Sequence, residues 1–507
     1  MQQGNMMKLS ELLENVEIID IKGDPDVSVT GVTDDSRVVE NGFAFVCMPD
    51  EYNSPNAYWS YTTDGHNYIS DAVERRAAAV LVQKPINEIQ VDNVTVIQVS
   101  DTRLALSRIA DRFYNNPSGK LLMIGITGTN GKTSTCFMTR SIFQAAGKDI
   151  GILGTIIQRS GGADINAGMT TPEAHKIHKM LKDAVDEDLY GIVMEVSSHA
   201  LELKRVDDIK FDVAAFTNLS QDHLDFHKGM NGYLASKLRL FEELLNKSES
   251  PVAVVNLDDS ASEKIIKNTG ARVITYGLHK QADVQVTDFI STVNGLGFTV
   301  RLMGKDEVKI NLRVLGEYNL YNALAALAIG FSQGISLEAI KSGLENFKTV
   351  PGRFETVNCG QDFAVVVDYA HSPDALENVL KAAKKLTGEK LITVFGCGGD
   401  RDKGKRPLMG SVAAELSDYS VITSDNPRSE DPLEIISQIQ AGIDSKFENC
   451  YEIIPDRQKA IGKAINMARK GDIIVIAGKG HENYQILKGG KRIHFDDREI
   501  AREFIFK

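Results

Sequence analysis

The sequence lacks several features that would place the protein in a specialised class. Its 507 residues include only five cysteines, and no two of them are spaced as in a C-x-x-C zinc or redox motif. No apolar run reaches the roughly 18 residues that a membrane helix needs, and the first residues carry no apolar segment behind their charges. We therefore expect reduced thiols, a cytoplasmic location and no membrane partner.

Acidic residues outnumber basic residues. Lysine and arginine total 57 against 69 aspartates and glutamates, which gives a formal net charge of -12 without any block of basic residues. Such a surface repels polyphosphate backbones, so nucleic acid is not expected as a partner. The composition, with 42% hydrophobic and 25% charged residues, is typical of a globular protein with a large core.

The length favours about two to four domains rather than one compact core. Turn-forming clusters at 115–119 and 350–353 divide the chain. We therefore predict three domains: a small mixed α/β domain over 1–118, a central domain over 119–346 and a C-terminal domain over 347–507.

Apolar runs alternate with helical stretches in the two larger domains. This rhythm predicts an α/β fold with a mostly parallel sheet covered by helices in each, and ligands at the carboxyl ends of the strands. The predicted strands are 121–126, 191–197, 213–218 and 251–257 in the central domain, and 363–370, 390–396, 419–425 and 472–478 in the C-terminal domain.

A phosphate-binding loop is predicted where the segment GITGTNGKT, residues 125–133, follows a strand and opens a helix. Backbone N–H groups and the helix N-terminus suit phosphate oxygens, Lys132 would reach the β- and γ-phosphates, and Thr133 would bind Mg²⁺. Ile126 replaces the first glycine of the strict Walker pattern, and the alternative is a glycine turn that only caps a helix. The predicted ATP-binding residues here are Gly128, Thr129, Asn130, Gly131, Lys132, Thr133 and Ser134.

The loop form TGTNGKT resembles that of the Mur ligase and folylpolyglutamate synthetase superfamily, and further motifs follow in the order found in Mur ligases. These motifs are TTP at 170–172, EVSSH at 195–199, NLSQDHLDFH at 218–227, PGR at 351–353 and DYAHSPD at 368–374. The resemblance extends over nearly the whole chain. It implies a P-loop-type central ATPase domain, a Rossmann-like C-terminal domain, and a monomeric, amide-forming ligase with ATP as co-substrate and Mg²⁺ as cofactor.

The resemblance also implies a metal and nucleotide site. Glu195 and His223 match magnesium ligands, and Lys237 matches a lysine carried as a carbamate, an anion able to bind a second Mg²⁺. Simpler readings are a Glu195 ion pair, a structural His223 and a solvated Lys237. Asn319, Arg353 and Asp368 match residues that contact ATP.

The nucleotide-sugar substrate is expected against the first domain. Ser36, in the segment DSR at 35–37, resembles a uridine contact, whereas Thr170, Thr171, Ser197 and Arg205 match residues that hold the muramoyl dipeptide. One departure is Leu203, because related proteins often have glutamine at this position, and the corresponding contact is in doubt.

The choice of amino acid depends on the tetrad DNPR, formed by Asp425, Asn426, Pro427 and Arg428, which resembles the form in diaminopimelate-adding Mur ligases. Diaminopimelate has a second carboxylate at its far end, which a guanidinium binds in a bidentate manner and which lysine lacks. Arg401, Gly478 and Glu482 match further contacts to the amino acid. The alternative for Arg428 is a surface arginine after a turn.

The implied reaction joins meso-diaminopimelate to UDP-N-acetylmuramoyl-L-alanyl-D-glutamate through an acyl phosphate. Three alternatives stay open: a lysine-adding ligase of the same family, a folylpolyglutamate synthetase-like ligase, and a protein that closes on ATP without ligation.

Overall fold

The structure, a computed structural model, describes residues 6–50, 64–157, 165–166, 169–292 and 295–506. Three large sheets, of five, nine and six strands, arise from successive parts of the chain. The predicted three-domain α/β fold is confirmed, and the domain boundaries stay predictions.

The N-terminal sheet has the strand order β2-β7-β6-β5-β4, in which only β2 is antiparallel to its neighbour. Asp101 begins the last helix by accepting a hydrogen bond from the backbone N–H of Leu104 at 3.0 Å. That helix packs against α5 of the central domain. The elements are β1 (Met7–Lys8), α1 (Leu9–Leu12), β2 (Ile18–Lys22), β3 (Ser28–Val29), β4 (Gly31–Thr33), β5 (Phe43–Val46), α2 (Ile69–Glu74), β6 (Ala79–Val82), β7 (Thr95–Val99) and α3 (Thr102–Phe113).

The central sheet has the order β18-β17-β16-β15-β14-β13-β8-β12-β9, with parallel pairing from β9 through β16. Its inner strands are buried on both faces, as expected for apolar parallel strands under helices. The elements are β8 (Leu122–Thr127), α4 (Lys132–Ala145), β9 (Ile150–Leu153), β10 (Ile156–Ile157), β11 (Ile165–Asn166), α5 (Ala174–Asp186), β12 (Gly191–Glu195), α6 (Ser198–Glu202), β13 (Val213–Phe216), α7 (Leu224–His227), α8 (Met230–Arg239), β14 (Val252–Asn256), α9 (Ser262–Asn268), β15 (Arg272–Gly277), β16 (Val284–Thr292), β17 (Gly295–Leu302), β18 (Asp306–Leu312), α10 (Tyr318–Ser332) and α11 (Leu337–Asn346).

The C-terminal sheet has the order β19-β20-β24-β21-β22-β23 and is parallel except at β19. Its strands end at the edge that faces the central domain, which places their following loops at one cleft. The elements are β19 (Glu355–Thr356), β20 (Ala364–Asp368), α12 (Pro373–Leu386), β21 (Leu391–Phe395), α13 (Lys405–Leu416), β22 (Tyr419–Ile422), α14 (Pro432–Gln440), β23 (Tyr451–Ile453), α15 (Arg457–Met467), β24 (Ile473–Ala477), β25 (Tyr484–Ile486), β26 (Arg492–His494) and α16 (Asp497–Ile505).

Two features of the central domain were not predicted. Helix α8 is α-helical only to Arg239 and continues as a π-helical turn over Leu240–Leu244. The antiparallel strands β17 and β18 also extend the sheet beyond its parallel part. Among the described helices, none has both the length and the apolar character needed to cross a membrane.

Candidate active site

A cleft of about 250 Å³ lies between the central and C-terminal domains. The carboxyl ends of strands from both sheets supply its walls, so residues distant in sequence meet there. Many of the predicted site residues line it: Thr129, Asn130, Gly131, Lys132, Thr133, Thr170, Glu195, His223, Arg353, Arg401, Asp425, Asn426, Arg428, Gly478 and Glu482.

The loop between β8 and α4 forms one end of the cleft. Gly128 and Gly131 have φ angles of +148° and +87°, and a Cβ on Gly128 would lie 1.9 Å from the Thr217 hydroxyl oxygen. Only glycine suits such positions. Lys132 Nζ donates to the carbonyl oxygens of Gly128 at 3.0 Å and Thr129 at 2.8 Å. The loop carbonyls therefore hold the Lys132 ammonium group at the start of α4.

Two hard oxygen ligands for a cation meet beside this loop. Thr133 Oγ1 donates to Glu195 Oε2 at 2.9 Å and accepts from Arg353 Nη2 at 3.3 Å. The other Glu195 oxygen accepts from the backbone N–H of Thr155 at 2.9 Å. Glu195 is 1% exposed, and among the described residues it is held by hydrogen bonds rather than by an ion pair. A buried carboxylate next to a hydroxyl suits Mg²⁺.

Lys237 on α8 points into the same region. It is 1% exposed, its Nζ donates to the Gly128 carbonyl at 2.9 Å and lies 4.4 Å from the centre of the Tyr233 ring. The solvated lysine of the simpler reading is therefore wrong. Burial, and then the nearby Lys132, hold the pKa of Lys237 well below its usual value. This favours the neutral amine, the form that can react with carbon dioxide to give a carbamate.

His223 begins α7 with a φ angle of +54°. Its ring packs edge-on against His199, with ring centres 4.7 Å apart, and its Nε2 lies 3.4 Å from an Asp222 oxygen. Burial lowers the pKa of His223 to about 4, although Asp222 opposes this shift. At neutral pH the imidazole is uncharged and keeps a lone pair for a metal ion.

Most of the residues predicted to hold the dipeptide stand behind the cleft wall. Arg205 forms an ion pair with Glu173 at 2.5 Å and donates to the Thr171 carbonyl at 3.1 Å. Ser197 caps α6 by accepting from the Ala200 N–H at 3.2 Å. Of this group only Thr170 lines the cleft, so the others shape the loop that presents it. Leu203 is buried in apolar surroundings.

The opposite end of the cleft is built from paired polar groups. Asn426 Nδ2 donates to Glu482 Oε2 at 2.9 Å, and Lys479 Nζ lies 3.1 Å from the same oxygen. Arg428, at a φ angle of +53°, donates from Nη1 to the Gly399 carbonyl at 2.8 Å. Arg428 lines the cleft together with Arg401, so it is not a surface arginine outside a site.

Several predicted residues do not reach the cleft in this structure. Asp368 is buried and accepts from the backbone N–H groups of Phe354 at 2.6 Å and Ala370 at 2.7 Å. Asn319 Nδ2 donates to the Leu315 carbonyl at 2.7 Å. The two side chains are held by backbone groups because buried polar atoms need partners. Eight further predicted residues do not line the cleft: Ser36, Gly128, Ser134, Thr171, Ser197, Arg205, Lys237 and Pro427.

Among the cleft residues that sequence reasoning missed are these four: Asp222, Tyr369, His371 and Lys405. Three of them lie inside the motifs at 218–227 and 368–374, which were the available signal. Tyr369 packs under Arg353, with the guanidinium carbon 4.7 Å from the ring centre. His371 Nδ1 lies 2.8 Å from the Tyr369 carbonyl, so Nδ1 carries the proton and Nε2 keeps the lone pair.

Comparison with known proteins gives matches over most of the chain. The family model described as the Mur ligase middle domain matches residues 126–330, and the model described as the Mur ligase glutamate ligase domain matches residues 352–480. Together the two matches span more than half of the sequence.

Curated relatives are similar over nearly their whole length. A protein from Clostridium acetobutylicum named UDP-N-acetylmuramoyl-L-alanyl-D-glutamate--2,6-diaminopimelate ligase 1 is 46% identical over 98% of this chain and 99% of its own. A protein of the same name, without the final number, from Clostridium tetani is 44% identical over 98% of this chain and 99% of its own. A solved structure of a ligase with this name is 31% identical, with a TM-score of 0.66 over 99% of both chains.

Proposed function

Because this chain belongs to the Mur ligase family, we propose that it is the ATP-dependent ligase that adds meso-diaminopimelate to UDP-N-acetylmuramoyl-L-alanyl-D-glutamate. The observation that carries this function is that one cleft holds the phosphate loop at one end and the tetrad 425–428 at the other. Relatives that are 46% and 44% identical over nearly the full length bear the name of that reaction.

The first step transfers the γ-phosphoryl group of ATP to the D-glutamyl side-chain carboxylate. Lys132 offsets negative charge on the β- and γ-phosphates, and the loop amides hold the phosphate oxygens. Thr133, Glu195, His223 and a carbamylated Lys237 would hold Mg²⁺, which when bound neutralises charge on the transferring group. Arg353, within reach of the Thr133 hydroxyl, adds a cation from the C-terminal domain and so favours closure over the nucleotide.

The second step is attack of the diaminopimelate amine on the acyl phosphate, which forms the amide and releases phosphate. Arg428 binds the far carboxylate of diaminopimelate, whereas Glu482 and Asp425 suit its ammonium groups. Lysine has no far carboxylate and would forgo this contact with Arg428, and the lost contact gives the preference. Because one chain forms the whole cleft and all the substrates are small molecules, we also propose that the protein acts as a monomer, in the cytoplasm.

The decisive experiment measures ADP release by the purified protein with ATP, magnesium and the UDP-muramoyl dipeptide. We expect release that depends on meso-diaminopimelate and is much slower with L-lysine. A preference for L-lysine would indicate the lysine-adding ligase. Activity on folate substrates would indicate a folylpolyglutamate synthetase, and ATP binding without amino-acid-dependent release would overturn ligation altogether.

A further inference from the structure

A fully buried ion pair lies behind the amino-acid end of the cleft. Arg457, the first residue of α15, and Asp497, the first residue of α16, both have side chains that are 0% exposed. The guanidinium is bound in a bidentate manner, from Nε to Oδ1 at 2.8 Å and from Nη2 to Oδ2 at 2.7 Å. This bidentate ion pair therefore joins the N-termini of the two helices in a fixed geometry.

The same guanidinium reaches two strand ends that carry site residues. Its Nη2 donates to the Ala477 carbonyl at 3.0 Å, and its Nη1 lies 3.5 Å from the Ser424 carbonyl. The next residues in the chain are Gly478 and Asp425, both of which line the cleft. Strand β21 separates β24 from β22 in the sheet, so Arg457 spans strand ends that do not pair directly.

The residues that follow these two strands, Gly478 and Asp425, lie close to each other. A Cβ added to Gly478, which has a φ angle of +120°, would lie 2.6 Å from Asp425 Oδ2. Burial raises the pKa of the Asp425 carboxyl, but the cations Lys479, Arg457 and Arg428 outweigh it and hold this pKa below its ordinary value. The Arg457 guanidinium thus acts on both the position and the charge of Asp425.

A buried ion pair is weak evidence for a role in stability, because well-packed apolar residues often replace such a pair without loss. We propose that Arg457 and Asp497 are positioning residues for the amino-acid pocket. They fix the spacing of Asp425 and Gly478, and so set the affinity for the incoming amino acid. This inference rests on the proposed function.

The test compares the double variant Arg457→Met/Asp497→Leu with Arg457→Lys. The lysine keeps the positive charge but cannot form the bidentate contact. In the double variant we expect a melting temperature close to that of the wild type and an unchanged KM for ATP. The KM for diaminopimelate should rise roughly 10-fold, because a small misplacement of contact groups weakens binding. Arg457→Lys should give a smaller rise, in a folded protein.

The pH profile separates positioning from simple packing. Without the Arg457 cation, the Asp425 carboxyl should protonate at a higher pH, so the KM for diaminopimelate should begin to rise at a higher pH as the solution is acidified. Lys463→Met is the matched control. Lys463 lies on the same helix as Arg457, and its Nζ forms an exposed ion pair with Glu452 at 3.0 Å. This variant should change neither the KM values nor the profile.

A wild-type KM for diaminopimelate in both folded variants would overturn the inference, as would a parallel rise in the KM for ATP. If ADP release by the wild-type protein does not depend on diaminopimelate, the proposed function is overturned, and the inference with it.

Discussion

The two ends of the cleft hold their charges in different ways. At the phosphate end, Lys132 and Lys237 both donate to the carbonyl oxygen of Gly128, and neither forms an ion pair with any carboxylate among the described residues. At the amino-acid end, cations and carboxylates already form pairs, such as Lys479 with Glu482 at 3.1 Å. At the phosphate end Lys132 therefore has no ion-pair partner among the described residues, whereas at the amino-acid end a lysine and a carboxylate are already paired.

This difference predicts different roles in the reaction. A cation without an ion-pair partner gains most when an anion arrives and develops charge, so substitutions at the phosphate end should lower kcat. A prepaired pocket has its geometry before the ligand binds, so substitutions there should alter KM and selectivity. The following predictions test that division, beginning with the largest expected effect.

Lys132→Ala should lower kcat about 10³-fold, because the lysine offsets charge on the transferring phosphoryl group. The KM for diaminopimelate should stay close to that of the wild type, as measured by ADP release over a range of amino-acid concentrations. Lys463→Ala, an exposed lysine of the C-terminal domain, serves as the control. A near-wild-type kcat in Lys132→Ala would contradict the assignment of the phosphate end.

Lys237→Ala should lower kcat about 10²-fold, because it removes the carbamate anion that would hold a second Mg²⁺. Added short carboxylic acids, such as acetate or formate, should restore part of the activity by supplying an anion at the vacated position. Lys132→Ala should not recover under the same conditions. Full activity of Lys237→Ala without added acid would exclude the carbamate.

Arg428→Ala should reduce the preference for meso-diaminopimelate over L-lysine about 30-fold, which corresponds to about 2 kcal/mol for an unpaired charged partner. The ratio of kcat/KM for the two amino acids measures this effect. The KM for ATP should not change, since the guanidinium lies at the other end of the cleft. A retained preference for diaminopimelate would show that another group recognises the far carboxylate.

The sequence predicted the local parts of the site well. The phosphate loop is contiguous, so its glycines, Lys132 and the start of α4 follow from one segment, and the structure has them as expected. The strands also lie close to their predicted positions because parallel sheets need continuous apolar runs. Gly147 follows α4 in the left-handed conformation, at a φ angle of +73°, as is common for a glycine that ends a helix.

The parts that were missed depend on distant residues. The ATP contacts implied for Asp368 and Asn319 stay predictions, and in this structure the two side chains bind backbone groups. His371 and Lys405 come to the cleft only when the C-terminal sheet faces the central one. Sequence spacing contains no signal for such meetings, because packing between domains determines them.

One contact between the central and C-terminal domains gives the smallest predicted effect. Asp374 on α12 accepts hydrogen bonds through Oδ2 from Asn130 Nδ2 of the phosphate loop at 2.7 Å and from Ser220 Oγ at 3.1 Å. We expect Asp374→Ala to lower kcat about 5-fold, because losing roughly 1 kcal/mol of this link makes the closed arrangement less populated.

Binding of ATP should not weaken in Asp374→Ala, because the substitution also removes a negative charge beside a site for polyphosphate. Measurement of ATP affinity and kcat on the same preparation tests both statements. Asn378→Ala is the matched control, since Asn378 donates to the other oxygen of Asp374 at 3.3 Å and not to the loop. An equal loss of kcat in the two variants would mean that helix α12 itself, rather than its link to Asn130, matters for turnover.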